Sequence, residues 1–232
     1  MVFFPGTGQA QDIFEWAAAV NGSWGDNARW NKISGLGNPP PGVDDEARFN
    51  ETGTYTVTFP SSVNSGELVV SAGNVTFRSA GTDQQYRLSQ DAFVRDRSEL
   101  TLGAAGDSLD LSSDLLWITR GGTVNILHGS EVSTGDALIA SASLIVDGAE
   151  SFFRAPGIAI NSFDASGRLI LRNGARGNLN GPVTLDALST DAASLTVESG
   201  AELEFNATLR VGHPDGTDGS GGTVTATVAG GG

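Results

Sequence analysis

Apolar and polar residues alternate in short bursts along most of this chain. Tyr55-Thr-Val-Thr-Phe59, Val75-Thr-Phe77, Leu100-Thr-Leu102, Leu109-Asp-Leu111, Val124-Asn-Ile126, Leu195-Thr-Val197 and Leu203-Glu-Phe205 each have a period of two. Each run ends near Gly, Asn, Asp or Ser, which is the signature of strands joined by turns. Apolar–polar–apolar puts two side chains on one face and one on the other, so such short strands must stack to bury anything. Helical periodicity is nearly absent. Ile13-Phe-Glu-Trp-Ala-Ala-Ala-Val20 alone has helix-like composition, and Asn21-Gly22 limits it to two turns.

The strands recur within a motif. An apolar-x-apolar triplet is followed within a few residues by Gly and a small residue, as in Leu144-Ile-Val-Asp-Gly-Ala149, Leu169-Ile-Leu-Arg-Asn-Gly-Ala175 and Leu195-Thr-Val-Glu-Ser-Gly-Ala201. Looser copies start at Leu68, Leu100 and Val124, so the leading apolar residues are separated by 32, 24, 20, 25 and 26 positions. Strand-only repeats of this length fit a solenoid coil, whereas propeller blades need ~40 residues each. The pattern predicts an all-β fold, a right-handed parallel β-helix of about six coils, ~30 Å long at ~4.8 Å per coil. An antiparallel β-sandwich is the alternative, since it too has many short strands with regular turns. The Gly after each strand is expected to supply a positive-φ corner.

Residues 12–59 differ from the rest. They hold Trp16, Trp24 and Trp30, the single Lys (Lys32), and the run Asn38-Pro-Pro-Pro-Gly42. The succession Asn21-Gly-Ser-Trp24, Asn27-Ala-Arg-Trp30-Asn31, Pro41-Gly-Val-Asp-Asp-Glu-Ala-Arg-Phe49 resembles the opening module of bacterial secreted and surface β-helix proteins, autotransporter-passenger-like or adhesin-like. That resemblance covers the segment 12–59 and then, more loosely, the strand repeat that follows it. It carries over no catalytic residue. It implies an extracellular location, secreted or at the cell surface, and a stalk or adhesin role. On the residues themselves, the segment 12–59 reads as a cap over the open end of a solenoid spanning 60–232, because exposed strand edges invite pairing. A second reading makes Trp16, Trp24 and Trp30 a platform for stacking sugars. Residues 1–11, with small Gly8 and Ala10 behind an apolar stub, read as the remnant of a signal peptide or a disordered N-terminus. The pattern Thr223-Val-Thr-Ala-Thr-Val228 reads as a strand interrupted at the C-terminus.

Composition narrows the function classes. The 232 residues include 13 basic and 27 acidic side chains, a net charge of −14, so a nucleic-acid partner is not expected. Cys is absent, which removes disulfides, thiolate metal sites and cysteine nucleophiles. No apolar run is long enough to span a membrane as a helix. The carboxylates that could serve a β-helix polysaccharide lyase or hydrolase are Asp91 and Asp96, beside Arg95 and Arg97, and then Asp107, Asp110 and Asp114. Glycosidic chemistry needs two carboxyls ~5–9.5 Å apart, and Asp110 between Leu109 and Leu111 reads as an ordinary outward position. Asp215 and Asp218 form a weak calcium-loop candidate without the spacing of a calcium-binding loop; no other cofactor is expected. Phe152-Phe153 breaks the alternation, read as one buried and one half-covered ring beside Arg154. The segments 81–86 and 161–167 read as loops projecting from a face that binds. The sequence thus predicts a non-catalytic β-solenoid stalk or adhesin. Expected partners are a host or matrix glycan, a surface protein, or further copies by end-to-end or lateral association. A carbohydrate-binding module or a lyase is the alternative.

Overall fold

The computed structural model describes residues 11–81, 84–162, 165–187, 191–198, 200–206, 208–211 and 223–228. The chain winds as a parallel β-solenoid of about seven turns. Each full turn visits three faces in the same order. Face I is a nine-stranded sheet that includes Thr54–Phe59, Asn74–Ser79, Glu99–Leu102, Thr123–Leu127, Ser143–Asp147, Gly167–Arg172 and Ala192–Val197. Face II begins with Val63–Ser65 and Gln84–Leu88 and continues through the first half of Leu109–Thr119. Face III runs from Ile13–Trp16 and Glu46–Phe49 through Glu67–Val70 and Ala92–Val94 into the second half of Leu109–Thr119. Leu109–Thr119 and Glu131–Ala140 bend across the corner, which joins faces II and III into one hydrogen-bonded sheet.

Pleating explains the core. On face I, Tyr55, Val75, Leu100, Val124, Leu144, Leu169 and Leu195 stand directly above one another. All are buried. The steps along this column are unequal: Tyr55 to Val75 and Val124 to Leu144 are the shortest, Leu169 to Leu195 the longest. Turn lengths therefore vary while the column stays straight. Five of the six leading residues expected from the sequence share this column. Leu68 does not: it belongs to face III, in register with Ala47 and Ala92, and Val75 takes its place on face I. The anomalously long spacing from Leu68 to Leu100 thus joined two different faces.

The outward neighbours on face I form a polar ladder, Thr56, Thr76, Thr101 and Asn125, before Ile145, Ile170 and Thr196. Asn125 donates to the Glu99 carboxylate on the rung before it at 2.6 Å. Corners carry the expected positive-φ residues. Gly148, Gly174 and Gly200 lie at φ 96, 82 and 81°, where face I passes to face II. Gly73 (φ 68°) sits at a tighter corner, where a Cβ would lie 2.7 Å from the Gly53 carbonyl oxygen.

Residues 12–59 are part of this winding. Ile13–Trp16 pairs parallel with Glu46–Phe49, and Thr54–Phe59 pairs parallel with Asn74–Ser79, so the ladder crosses residue 59 without a break. Ile13–Trp16 is a strand whose Phe14 and Trp16 alternate inward, and the only described helical turn is the 3-10 segment Asn27–Arg29. Trp30–Ser34 pairs antiparallel with Ile13–Trp16, covering the outer edge of that rung. The interior here is aromatic: Trp16, Trp24, Trp30, Phe49, Phe59, Phe77 and Tyr86 pack with neighbouring ring centroids 4.8–6.3 Å apart. Farther along, Leu, Val and Ile replace them within one continuous core.

Candidate functional site

The three N-terminal tryptophans do not form a sugar platform. Trp16, Trp24 and Trp30 are 0, 2 and 5% exposed. Trp30 stands edge-on to Trp16 and Trp24, and its indole N–H donates to the Trp24 carbonyl at 2.9 Å. Packing against the rest of the core leaves no ring face for a ligand, as is usual for rings with so much apolar surface to bury.

The aspartates of the lyase reading are dispersed. Asp91 and Asp96 flank Ala92–Val94 at opposite corners of face III, and the strand from Asp91 to Arg95 spans ~13 Å. Asp107 pairs with Arg78 at 3.7 Å, and Asp110 lies on face II, where its carboxylate accepts from the Glu131 N–H at 3.1 Å. Asp114 marks the corner between faces II and III. The hollow beside Asp110 and Glu131 has a volume of about 240 Å³, below the ~300–1,000 Å³ typical of ligand sites. Asp215 and Asp218 lie outside the described residues. Among the described residues no group of three or more His, Asp or Glu could hold a metal ion.

A different constellation comes together on face III. Its outward column reads Arg48, Val69, Phe93, Trp117, Leu138, Ala159 and Thr184, in successive registers. Val69 is buried, but from Phe93 to Ala159 every rung presents a half-buried apolar side chain to the outside, a stripe ~14 Å long at ~4.8 Å per rung. Elsewhere on the solenoid the outward columns are polar or mixed. Phe93 and Trp117 lie with ring centroids 5.8 Å apart at 44°. The Trp117 indole N–H is shielded from solvent and has no hydrogen-bond partner among the described residues.

A groove of about 700 Å³ is built on this floor, between Phe93, Trp117 and Leu138 and the corner leading to face I. That corner supplies Arg95, Arg97 and Arg120. The Arg97 and Arg120 backbones lie at φ 64 and 51°, beside Asp96 at 58°, conformations that turn the chain sharply and fan the side chains outward. Asp96 bridges Arg95 at 3.6 Å and Arg120 at 3.5 Å. Arg97 makes no ion pair among the described residues. The opposite border of the face is acidic, with Glu46, Glu67 and Asp91 on adjacent rungs and Asp136 beyond. Burial, then the Glu46 and Asp91 charges, raise the Glu67 carboxyl above its ordinary pKa, with Arg48 and Arg95 opposing. Burial and then Asp114 raise that of Asp91. Face III is therefore a polarised strip: carboxylates along one side, guanidiniums along the other, aromatic surface between.

Two further expectations meet this geometry. Phe153 is buried while Phe152 is half-buried under Arg154, whose guanidinium carbon lies 5.2 Å from the ring centre, as the sequence suggested. The segment 81–86 is not simply a projecting loop, because Gln84–Leu88 is a face II strand with Tyr86 wholly buried. Residue Ala165 of the 161–167 segment does border the groove. Phe93, Trp117, Leu138 and Arg120 are functional candidates that the sequence pattern alone does not single out. Their signal is present, however: Ala92-Phe-Val94, Leu115-Leu-Trp-Ile118 and Ala137-Leu-Ile-Ala140 are runs without alternation, and an outward apolar run asks for a functional reason.

No protein-family model, no curated protein and no solved structure matches this chain.

Proposed function

We propose that this chain is a non-catalytic, extracellular β-solenoid segment of a bacterial surface or secreted protein, a stalk that presents a lateral contact face in the manner of an adhesin. The observation that carries the reading is the outward column from Phe93 to Ala159 on face III, an apolar stripe standing on a ladder that pairs rung to rung. A hydrogen-bonded stack of this kind is stiff because each rung is held by the rungs on either side. An acidic surface keeps such a rod dispersed. Scattered carboxylates and a contact face built from rings and guanidiniums favour binding over bond cleavage.

The reading is tested by treating intact cells that make the full-length protein with a non-penetrating protease and a non-penetrating amine label. An external protein is labelled and shed, and the solenoid survives as a resistant core spanning residues 100–198. Protection of the whole chain in intact cells, or rapid cutting throughout that span, overturns it.

A further inference from the structure

We propose that the groove on face III holds an acidic polysaccharide, a chain of sugars bearing carboxylates, with Phe93 and Trp117 as its floor and Arg95, Arg97 and Arg120 as its anion-binding border. This rests on the reading of face III as a contact surface and adds the chemical class of what it contacts.

Three observations converge. First, the floor suits sugar rings. A pyranose presents C–H groups on its flat side, and these pack on an aromatic face while hydroxyls remain at the rim. Phe93 and Trp117 lie on adjacent rungs, and the rung spacing of ~4.8 Å is close to the length of one sugar residue, so consecutive residues of a polymer meet consecutive rungs.

Second, the border suits carboxylates. Arg97, Arg95 and Arg120 are three of only 13 basic residues in a chain with 27 acidic ones, and they gather on one side of one groove. Guanidinium forks recognise carboxylates bidentately. Asp96 offsets one of the three charges, pairing at 3.5–3.6 Å with Arg95 and Arg120, and leaves Arg97 uncommitted. The corner therefore carries a net positive charge. The acidic border, ~13 Å across the face, pushes an anionic chain towards the arginines and so fixes its track along the groove.

Third, size separates this occupant from a second copy of the chain. The groove of about 700 Å³ lies within the ~300–1,000 Å³ range of ligand sites. The whole strip, ~13 Å by ~14 Å, is far smaller than the ~800 Å² each partner buries in a stable protein interface.

Affinity electrophoresis through gels containing polygalacturonate, or neutral dextran at the same load, tests the inference, together with tryptophan fluorescence. Polygalacturonate is expected to retard the protein and dextran is not. The retardation falls at least tenfold in apparent affinity for Arg97→Gln/Arg120→Gln and for Trp117→Ala. It weakens as salt rises from ~0.02 to ~0.3 M, where screening shortens to a few ångströms. Because Trp16, Trp24 and Trp30 are buried, the emission change on titration belongs to Trp117 and disappears in Trp117→Phe. Both arginines are exposed, so the double variant keeps its circular dichroism and melting temperature. Equal retardation by dextran, binding indifferent to the arginine pair, or no retardation overturns the inference. So does a dimer in sedimentation velocity that Trp117→Arg dissolves, which would assign the strip to a second copy. Release of reducing ends from polygalacturonate would instead overturn the non-catalytic reading, so the two failures are distinguishable.

Discussion

Leu144→Ala is the sharpest probe of the solenoid. Leu144 is wholly buried, between Val124 on the preceding rung and Leu169 on the next. Its truncation removes apolar contact and leaves a cavity that two hydrogen-bonded neighbours cannot collapse, a cost of ~3–5 kcal/mol. Ile145, one position along, points outward on face I and is only half-buried, so Ile145→Ala costs about 1 kcal/mol or less. With a urea slope of ~3 kcal/mol/M for a chain of this size, the midpoint drops by at least ~1 M for the first and by no more than ~0.3 M for the second. The assay is urea unfolding followed in parallel by far-ultraviolet circular dichroism, which reads every strand, and by tryptophan emission, which is dominated by the aromatic core around Trp16, Trp24 and Trp30. Because that core and Leu144 belong to one continuous cluster, both probes should shift together. Equal costs for the two variants would refute the inward–outward assignment. A dichroism midpoint that moves while the tryptophan midpoint stays would refute the coupling of the rungs.

Two corner glycines should differ. At Gly174 an added Cβ meets only Ala149 atoms at 3.5 Å and beyond, so Gly174→Ala costs the left-handed backbone strain alone, ~1–2 kcal/mol. Gly73→Ala adds collision with backbone carbonyls and lowers the melting temperature further; equal melting temperatures would contradict the tight corner. Glu67→Gln should stabilise at pH 7. The Glu67 carboxyl is raised in the folded state by burial and by Glu46 and Asp91, so ionisation penalises the fold. Its favourable contribution is complete below the unfolded pKa and is lost as pH rises through the folded one. The variant's advantage in thermal melts should therefore vanish in acid; a gain that persists there would point to packing rather than charge. Trp24→Ala should cost ~3–5 kcal/mol in urea unfolding, since the ring is core; an unchanged midpoint would reopen the platform reading.

Most of the scaffold is legible in the sequence because a period of two is a direct record of which side chains turn inward. Leu100, Val124, Leu144, Leu169 and Leu195 fall in the right column from their spacing and the Gly-rich corners that follow. Leu68 is misplaced because all three faces use the same apolar–polar–apolar code, and the code says nothing about which face a strand occupies. Only pairing across rungs distinguishes them. The tryptophans read as core or as ligand surface, and the sequence has no means to show that Trp30–Ser34 folds back beside Ile13–Trp16 and shuts them in. The groove is illegible for a related reason. Phe93, Trp117 and Leu138 are far apart in the chain, and unequal turn lengths hide that they are nearest neighbours. Their arginines come from successive corners, so in sequence Arg95 and Arg97 look like partners of Asp91 when the strand between holds them away from it.

Those unequal turns have a further consequence. The short turn from Tyr55 to Val75 and the long one from Leu169 to Leu195 feed the same straight column, so added or lost residues are absorbed at the corners and never transmitted to the next rung. The ladder behaves as a ruler with a fixed ~4.8 Å graduation. Any side chain placed outward on it keeps its distance to those above and below, whatever happens to the loops. A surface that reads a repeating polymer needs that constancy, and the corner segments remain free to diverge and set which polymer it is.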